Sequence, residues 1–220
     1  MAEKFIPYQR KEYSPEEQLK RSQEYFLWSN ERRTVREFSD RPVDIKVIEN
    51  IIKAASTAPS GANKQPWTFC VVSSPEMKKK IREAAEIEEK ENYSGRMSER
   101  WIKDLEHFDT NWEKPFLETA PYLIVVCKRA YEMEEGEKVN NYYVTESVGL
   151  AAGMLLSAIH HAGLVSLTHT PSPMNFLTKV LNRPENERPF LLIPVGYAAE
   201  NAKVPNIGRK ELNEVMIKYE

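Results

Sequence analysis

The segment from Asn141 to Ala162 constrains this chain more than any other. From Ser147 to Leu164 it holds no Asp, Glu, Lys or Arg, and it reads as a helix that is apolar nearly all round. A helix of that kind has no polar stripe to turn toward water, so it must be central to the fold. Gly149, Ala151, Ala152 and Gly153 leave room for another element to approach it closely. Ser157, His160 and His161 interrupt the stretch and argue against a membrane span. The two histidines are adjacent, so on a helix their rings point to different faces and cannot chelate one ion together.

Capping signals place further helices around this one. In Ser14-Pro15-Glu16-Glu17, Ser caps, Pro occupies the first position and Glu17 closes a capping box, which opens a helix running to about Trp28. Asp44 caps a second helix whose stripe is Val47, Ile48, Ile51, Ile52 and Ala55, and Ala58-Pro59-Ser60-Gly61-Ala62 stops it. Ser74-Pro75-Glu76 opens a charged helix from Pro75 to about Lys90, and Ser172-Pro173 starts a short one. Short apolar runs at Trp67–Ser73, Pro121–Lys128, Leu164–Thr168 and Phe190–Val195 read as buried strands. Strands alternating with helices, with no repeat or Gly/Ser linker, indicate one α/β or α+β domain. Residues 86–114 carry too few regularly spaced apolar residues for a core helix and are expected to form a surface excursion or lid. The terminal arms, Tyr8–Trp28 and Asn201–Tyr219, mix aromatic and charged residues and are expected to wrap on a partner subunit.

Composition narrows the function classes. In 220 residues, 41% hydrophobic and 29% charged, the chain is globular, which excludes collagen-like and disordered classes. A net charge of −2 lacks the basic excess that phosphate backbones demand, so nucleic acid is not an expected partner. Met1-Ala2-Glu3-Lys4-Phe5-Ile6-Pro7 has no apolar signal core, and no segment reads as a membrane span. Cys70 and Cys127 sit in apolar runs without a CxxC partner and read as free core thiols in a reducing compartment. A cytoplasmic protein is the resulting expectation, with no metal site.

There is no P-loop, GxGxxG, GxSxG or HExxH. Three clusters are candidates instead. In an extended Arg32-Arg33-Thr34-Val35-Arg36, residues 32, 34 and 36 share a face and offer guanidinium forks and a hydroxyl to a phosphate, although on spacing alone a solvated basic patch is the preferred reading. The loop Thr57-Ala58-Pro59-Ser60-Gly61-Ala62-Asn63-Lys64-Gln65-Pro66-Trp67 has small side chains that let backbone N–H groups approach a planar ligand, or it is a plain turn. Thr168-His169-Thr170 presents hydroxyls after a strand, either toward a ring nitrogen or near a helix cap at Ser172.

Taken with Pro194-Val195-Gly196-Tyr197, these clusters in this order resemble the nitroreductase family of flavoproteins, over about residues 30 to 212. Glu89, Tyr93 and Lys114 match the trio that marks the dehalogenating branch of that family, in a form without the membrane anchor of its vertebrate members. The resemblance implies an α+β fold with a central mixed sheet flanked by helices, and an intertwined homodimer with FMN at the interface. It implies an N-terminal arm and helix over 1–30, an FMN-binding domain over 31–212 with a lid at about 86–114, and a C-terminal arm over 213–220. It assigns the cofactor to Arg32, Arg33, Thr34, Arg36, Pro59, Ser60, Gly61, Thr168, His169, Thr170 and Arg209, with the Thr170 hydroxyl at flavin N5 as the catalytic group. It assigns the substrate to Ala62, Glu89, Tyr93 and Lys114.

If the helix continues, Glu89 and Tyr93 share a face, so a carboxylate can take an ammonium while a phenol and Lys114 take a carboxylate. The implied reaction is reductive dehalogenation of iodo-, bromo- or chlorotyrosine to tyrosine and halide, with NAD(P)H or an unidentified reductase as electron source. A broad FMN nitroreductase or quinone reductase, or a flavin-binding protein without catalysis, are the alternatives.

Overall fold

The computed structural model describes residues 4–220. Met1–Glu3, which belong to the expected N-terminal arm and to the stretch searched for a signal core, lie outside the described residues. The chain divides into two compact units, Met1–Arg32 and Arg33–Glu220.

The first unit is built on helix α1 (Pro15–Glu31), with Pro15 in its first turn and the Ser14 hydroxyl accepting from the Glu17 N–H. The expected capping box does not close, because the Glu17 carboxylate turns instead to Arg21, 3.6 Å away. No residue of α1 is buried, although the helix carries Leu19, Tyr25, Phe26 and Leu27.

The second unit is organised by a four-stranded sheet. Strands β1 (Trp67–Val72), β2 (Tyr122–Arg129), β5 (Val165–Ser166) and β6 (Glu187–Gly196) lie in the order β1-β2-β6-β5 with antiparallel ladders. A parallel bridge between Thr34 and Ser166 makes the sheet mixed. Both faces of β2 are covered. Leu123, Val125 and Cys127 face one cluster and Ile124 and Val126 the other, the alternation expected of a strand with helices on both sides.

The first face packs on helices α2 (Ile45–Ala55) and α6 (Val144–His161) through Ile48, Ile51, Val148, Ala151, Leu155 and Ile159. Asp44 caps α2 as expected, its carboxylate accepting from the Lys46 N–H at 2.8 Å. Helix α6 is central on this side only. Leu150 and Met154 on its opposite face are 53% and 36% exposed, so the apolar face remains uncovered within one chain.

The second face packs on α3 (Pro75–Glu91), α5 (Phe116–Thr119) and α7 (Asn175–Val180). Ser74 caps α3 as expected, but α7 starts at Asn175, past both prolines, and its cap position is Met174 rather than Ser172. The buried Lys78 amine donates to the carbonyls of Glu118 and Ala120 at 2.8 and 2.9 Å and thereby caps α5.

Two segments depart from the sequence reading. Residues 131–140, unassigned by periodicity, form the hairpin β3 (Tyr131–Glu134) and β4 (Glu137–Asn140), whose Glu135-Gly136 turn has positive φ at both positions. The expected excursion at 86–114 is helical for much of its length: α3 continues to Glu91, a wide turn covers Asn92–Arg96, and α4 (Glu99–Leu105) follows. The chain ends with a short helix, α8 (Leu212–Val215). Among the described residues no helix is long and apolar enough to cross a membrane.

Candidate functional site

Helix α3 buries Ile81, Ala85 and Glu89 at steps of four, so Glu89 takes a place in a stripe that elsewhere is apolar. A carboxylate so placed needs a partner. The partner is Lys114, whose amine stands 3.5 Å from the Glu89 Oε2 and also donates to the Asn111 carbonyl. The two residues are only 6% and 3% exposed. Glu86 fixes the approach, since one of its oxygens accepts both from the Lys114 N–H and from Arg82, each at 2.7 Å. Tyr93, four residues beyond Glu89 in the wide turn, donates its hydroxyl to the Thr110 carbonyl at 3.2 Å, and its ring lies 5.7 Å from the Lys114 amine.

Thr168, His169 and Thr170 face this trio from the end of the sheet. His169 bridges Leu192 through both backbone groups, which buries its side chain and leaves its two threonine neighbours exposed. The imidazole meets Phe116 edge to face at 5.6 Å, and its Nε2 lies 3.9 Å from the Glu89 Oε1 without a hydrogen bond. Burial, with Lys114 and Arg36 nearby, lowers its pKa to about 3, so the imidazole is neutral and the Glu89 contact is not an ion pair. Burial also pushes Glu89 up and Lys114 down, each opposed by the attraction of the other.

These residues line one cavity of about 190 Å³, together with Arg36, Phe116 and Leu167. Three further lining residues escaped the sequence reading. Met97, Trp101 and Leu105 recur at steps of four along α4 and its approach and add an apolar part to the cavity lining. That spacing was readable, but the charges around it hid it.

Arg36 is half-buried, stacks on Phe108 at 5.6 Å and, among the described residues, has no carboxylate within ion-pair distance. Two cations, Arg36 and Lys114, thus share the cavity with one carboxylate, Glu89, so the site has room for an anion. Thr34 joins the strand edge through Ser166, beside the buried Val35. The Arg33 guanidinium donates to the Pro205 carbonyl, which draws the C-terminal segment toward it four residues short of Arg209. Arg209 itself is exposed and does not line the cavity, and Arg32 is the C-cap of α1 within the first unit.

Pro59, Ser60, Gly61 and Ala62 lie elsewhere, at the start of α6. The Gly61 N–H donates to Ser147 Oγ at 3.3 Å, and a Cβ on Gly61 would meet the Tyr142 carbonyl at 2.9 Å. The loop stores strain: Ala62, Asn63 and Gln65, and Tyr143 beside them, all take positive φ between 47° and 54°. Four non-glycine residues in that region, within one contact cluster, mark a backbone shaped for something other than stability.

Comparison with known proteins agrees with the fold. Residues 30–197 match the model of the nitroreductase family, and the chain belongs to that family. Among curated relatives, the iodotyrosine deiodinase of Haliscomenobacter hydrossis is 62% identical over 216 residues, spanning 98% of this chain and 97% of that protein. The iodotyrosine deiodinase of Hydra vulgaris is 47% identical, over 99% of this chain and 81% of its own. A crystal structure of oxidised iodotyrosine deiodinase bound to FMN and 3-iodo-L-tyrosine superposes with a TM-score of 0.78 at 33% identity, covering 89% of this chain and 98% of that one.

Proposed function

We propose that this chain is a flavin-dependent oxidoreductase that uses FMN for the reductive dehalogenation of halotyrosines, 3-iodo-L-tyrosine among them, to tyrosine and halide. The observation that carries the reading is the buried Glu89–Lys114 pair beside Tyr93. Two opposite charges held 3.5 Å apart, both side chains almost fully buried, are costly to bury and gain little for stability. They match an amino-acid zwitterion: the substrate ammonium replaces Lys114 at Glu89, and its carboxylate replaces Glu89 at Lys114 and accepts from the Tyr93 hydroxyl.

The residues present fit FMN. The cationic excess around Arg36, with Arg33 and Thr34, suits a phosphate, and the exposed hydroxyls of Thr168 and Thr170 suit a ring edge. FMN, when bound, supplies the electrons. The chain's own groups do the rest. Thr170 would offer its hydroxyl to flavin N5, His169 keeps a neutral wall behind Glu89, and the Met97–Trp101–Leu105 face would help exclude water from the reacting ring.

The loop of Pro59, Ser60, Gly61 and Ala62 serves the site of a second subunit in this reading, with the Ala62 N–H holding the substrate phenolate. Support comes from the uncovered face of α6 and from α1, which carries Leu19, Tyr25, Phe26, Leu27 and Trp28 and buries none of them. A homodimer covers both, with 1–30 and 213–220 as exchanged arms around the 31–212 core and 86–114 as the lid. Electrons come from NAD(P)H or a reductase, and the compartment is the cytoplasm.

Quenching of bound-flavin fluorescence by 3-iodo-L-tyrosine, with tyrosine as control, tests the substrate. Saturation at far lower iodotyrosine concentrations is expected. Indifference to both ligands, with fast turnover of nitroaromatics, would replace the reading with a general nitroreductase.

A further inference from the structure

Away from that cavity, three chemically soft or anionic groups from three strands converge. Cys70 on β1, Cys127 on β2 and Glu187 at the start of β6 bring their Sγ and carboxylate oxygen atoms within 4.8 Å of one another. Cys127 and Glu187 are buried at 0% and 3% exposure, and Cys70 is half-buried, so the cluster is closed on the sheet side and open toward Cys70. None of the three lines the cavity of Glu89 and Lys114. We propose that Cys70, Cys127 and Glu187 form a binding site for a borderline-soft divalent cation, Zn(II) in particular, with a water in the fourth position on the open side.

The register of the strands favours a cation over a disulfide. Thr68 pairs with Cys127 and Cys70 with Val125, so the two cysteines share a face as diagonal neighbours. Diagonal Cα atoms lie about 7–8 Å apart. A disulfide needs Cα atoms about 4.4–6.8 Å apart and its sulfurs bonded, which the ladder opposes. Two thiolates on a tetrahedral cation, each at about 2.3 Å, need no such approach.

The surroundings also suit a ligand set. Glu187 is held in place by Arg183 at 2.7 Å on one oxygen, and by the Thr68 hydroxyl at 2.7 Å and Arg129 at 3.6 Å on the other. Its remaining lone pairs can serve a cation while these groups keep its orientation, the usual role of groups behind a metal ligand. Binding is balanced as two thiols plus Zn(II) giving a dithiolate complex and two released protons, with no change of oxidation state.

The test uses untagged, flavin-loaded, fully reduced protein titrated anaerobically with Co(II) as the spectroscopic probe. A thiolate-to-cobalt charge-transfer band should grow to one equivalent, be bleached by Zn(II), and be accompanied by a Zn(II)-dependent rise in Tm. Cys70→Ser, a half-exposed position, should keep the flavin spectrum and lose both the band and the Tm rise. Absence of the band in the unaltered protein, or an equal band in Cys70→Ser, would overturn the site. Recovery of an intact Cys70–Cys127 disulfide from air-purified protein would overturn it in favour of a redox pair.

Discussion

Replacing Lys114 by Met keeps most of the side-chain volume and removes the charge that pairs with Glu89. Glu89 is then a carboxylate 6% exposed, with a neutral His169 at 3.9 Å and no cation in contact. Removing one member of a buried pair costs about 3–5 kcal/mol. For a chain of this length, 1 kcal/mol moves Tm by about 2–4 °C, so a fall on the order of 10 °C is expected at neutral pH. The loss should depend on pH, and its sign follows from Glu89. Burial already raises its pKa, and losing Lys114, the largest opposing cause, raises it further. A carboxyl raised in the folded state favours folding below its unfolded pKa and loses that favour as pH rises through its folded pKa. Lys114→Met should therefore approach the parent protein near pH 4–5 and fall away by about 1.4 kcal/mol per pH unit above, until Glu89 ionises. Circular dichroism melts from pH 4 to 8, at equal flavin loading, measure this. A deficit that is constant across that range, or under about 1 kcal/mol at pH 8, would refute the assignment of a charged, coupled pair.

Glu89→Gln should weaken binding of 3-iodo-L-tyrosine at least tenfold more than that of 2-iodophenol, which has no ammonium to lose; parallel flavin-quenching titrations give the ratio. His169 has a folded pKa of about 3, below its unfolded value, so the stability it contributes is present above about pH 6.5 and lost as pH falls toward 3; His169→Asn should flatten that part of an acid denaturation curve. Gly196→Ala would place a Cβ 2.4 Å from the Pro121 Cδ, and chemical denaturation should register a loss of about 2 kcal/mol or more. Thr170→Ala should shift reductive titration of the bound flavin from one-electron toward two-electron behaviour, followed by absorbance with substrate present.

Three helix starts were legible from a capping side chain, whereas the Ser98 cap of α4 was hidden in the charged 86–114 segment. Ser14, Asp44, Ser74 and the apolar runs of β1, β2 and β6 declared themselves, because caps and buried strands are local signals. The α7 start was misplaced because Ser172-Pro173 imitates a cap-plus-proline signal, while the Ser172 carbonyl is engaged by Asn92 from 80 residues away. The hairpin β3–β4 was missed because the alternation in Tyr131-Glu132-Met133-Glu134 lasts only four residues and the Glu137–Asn140 arm holds a single apolar residue, Val139, while only Gly136 hints at the turn. At the site, Glu89 and Lys114 carry the strongest default toward solvent. Their burial is a tertiary event, made by Glu86 gripping the Lys114 backbone 28 residues downstream. Resemblance could name them; periodicity could not. Cys70 and Cys127 were rightly read as free thiols, but their meeting depends on the β1–β2 register, which neither apolar run specifies.

The closed Glu89–Lys114 pair has one more consequence. Within the pair each charge already has a counterpart, so, apart from the place Arg36 leaves for a cofactor phosphate, the pocket offers little to a guest with a single charge, which satisfies one residue of the pair and strands the other. Only a guest that brings both signs can exchange with the pair on even terms. That exchange is the same for every free amino acid. The charges therefore select a class of molecules, and choosing the member falls to the apolar wall of Met97, Trp101 and Leu105, where ring and halogen size are felt.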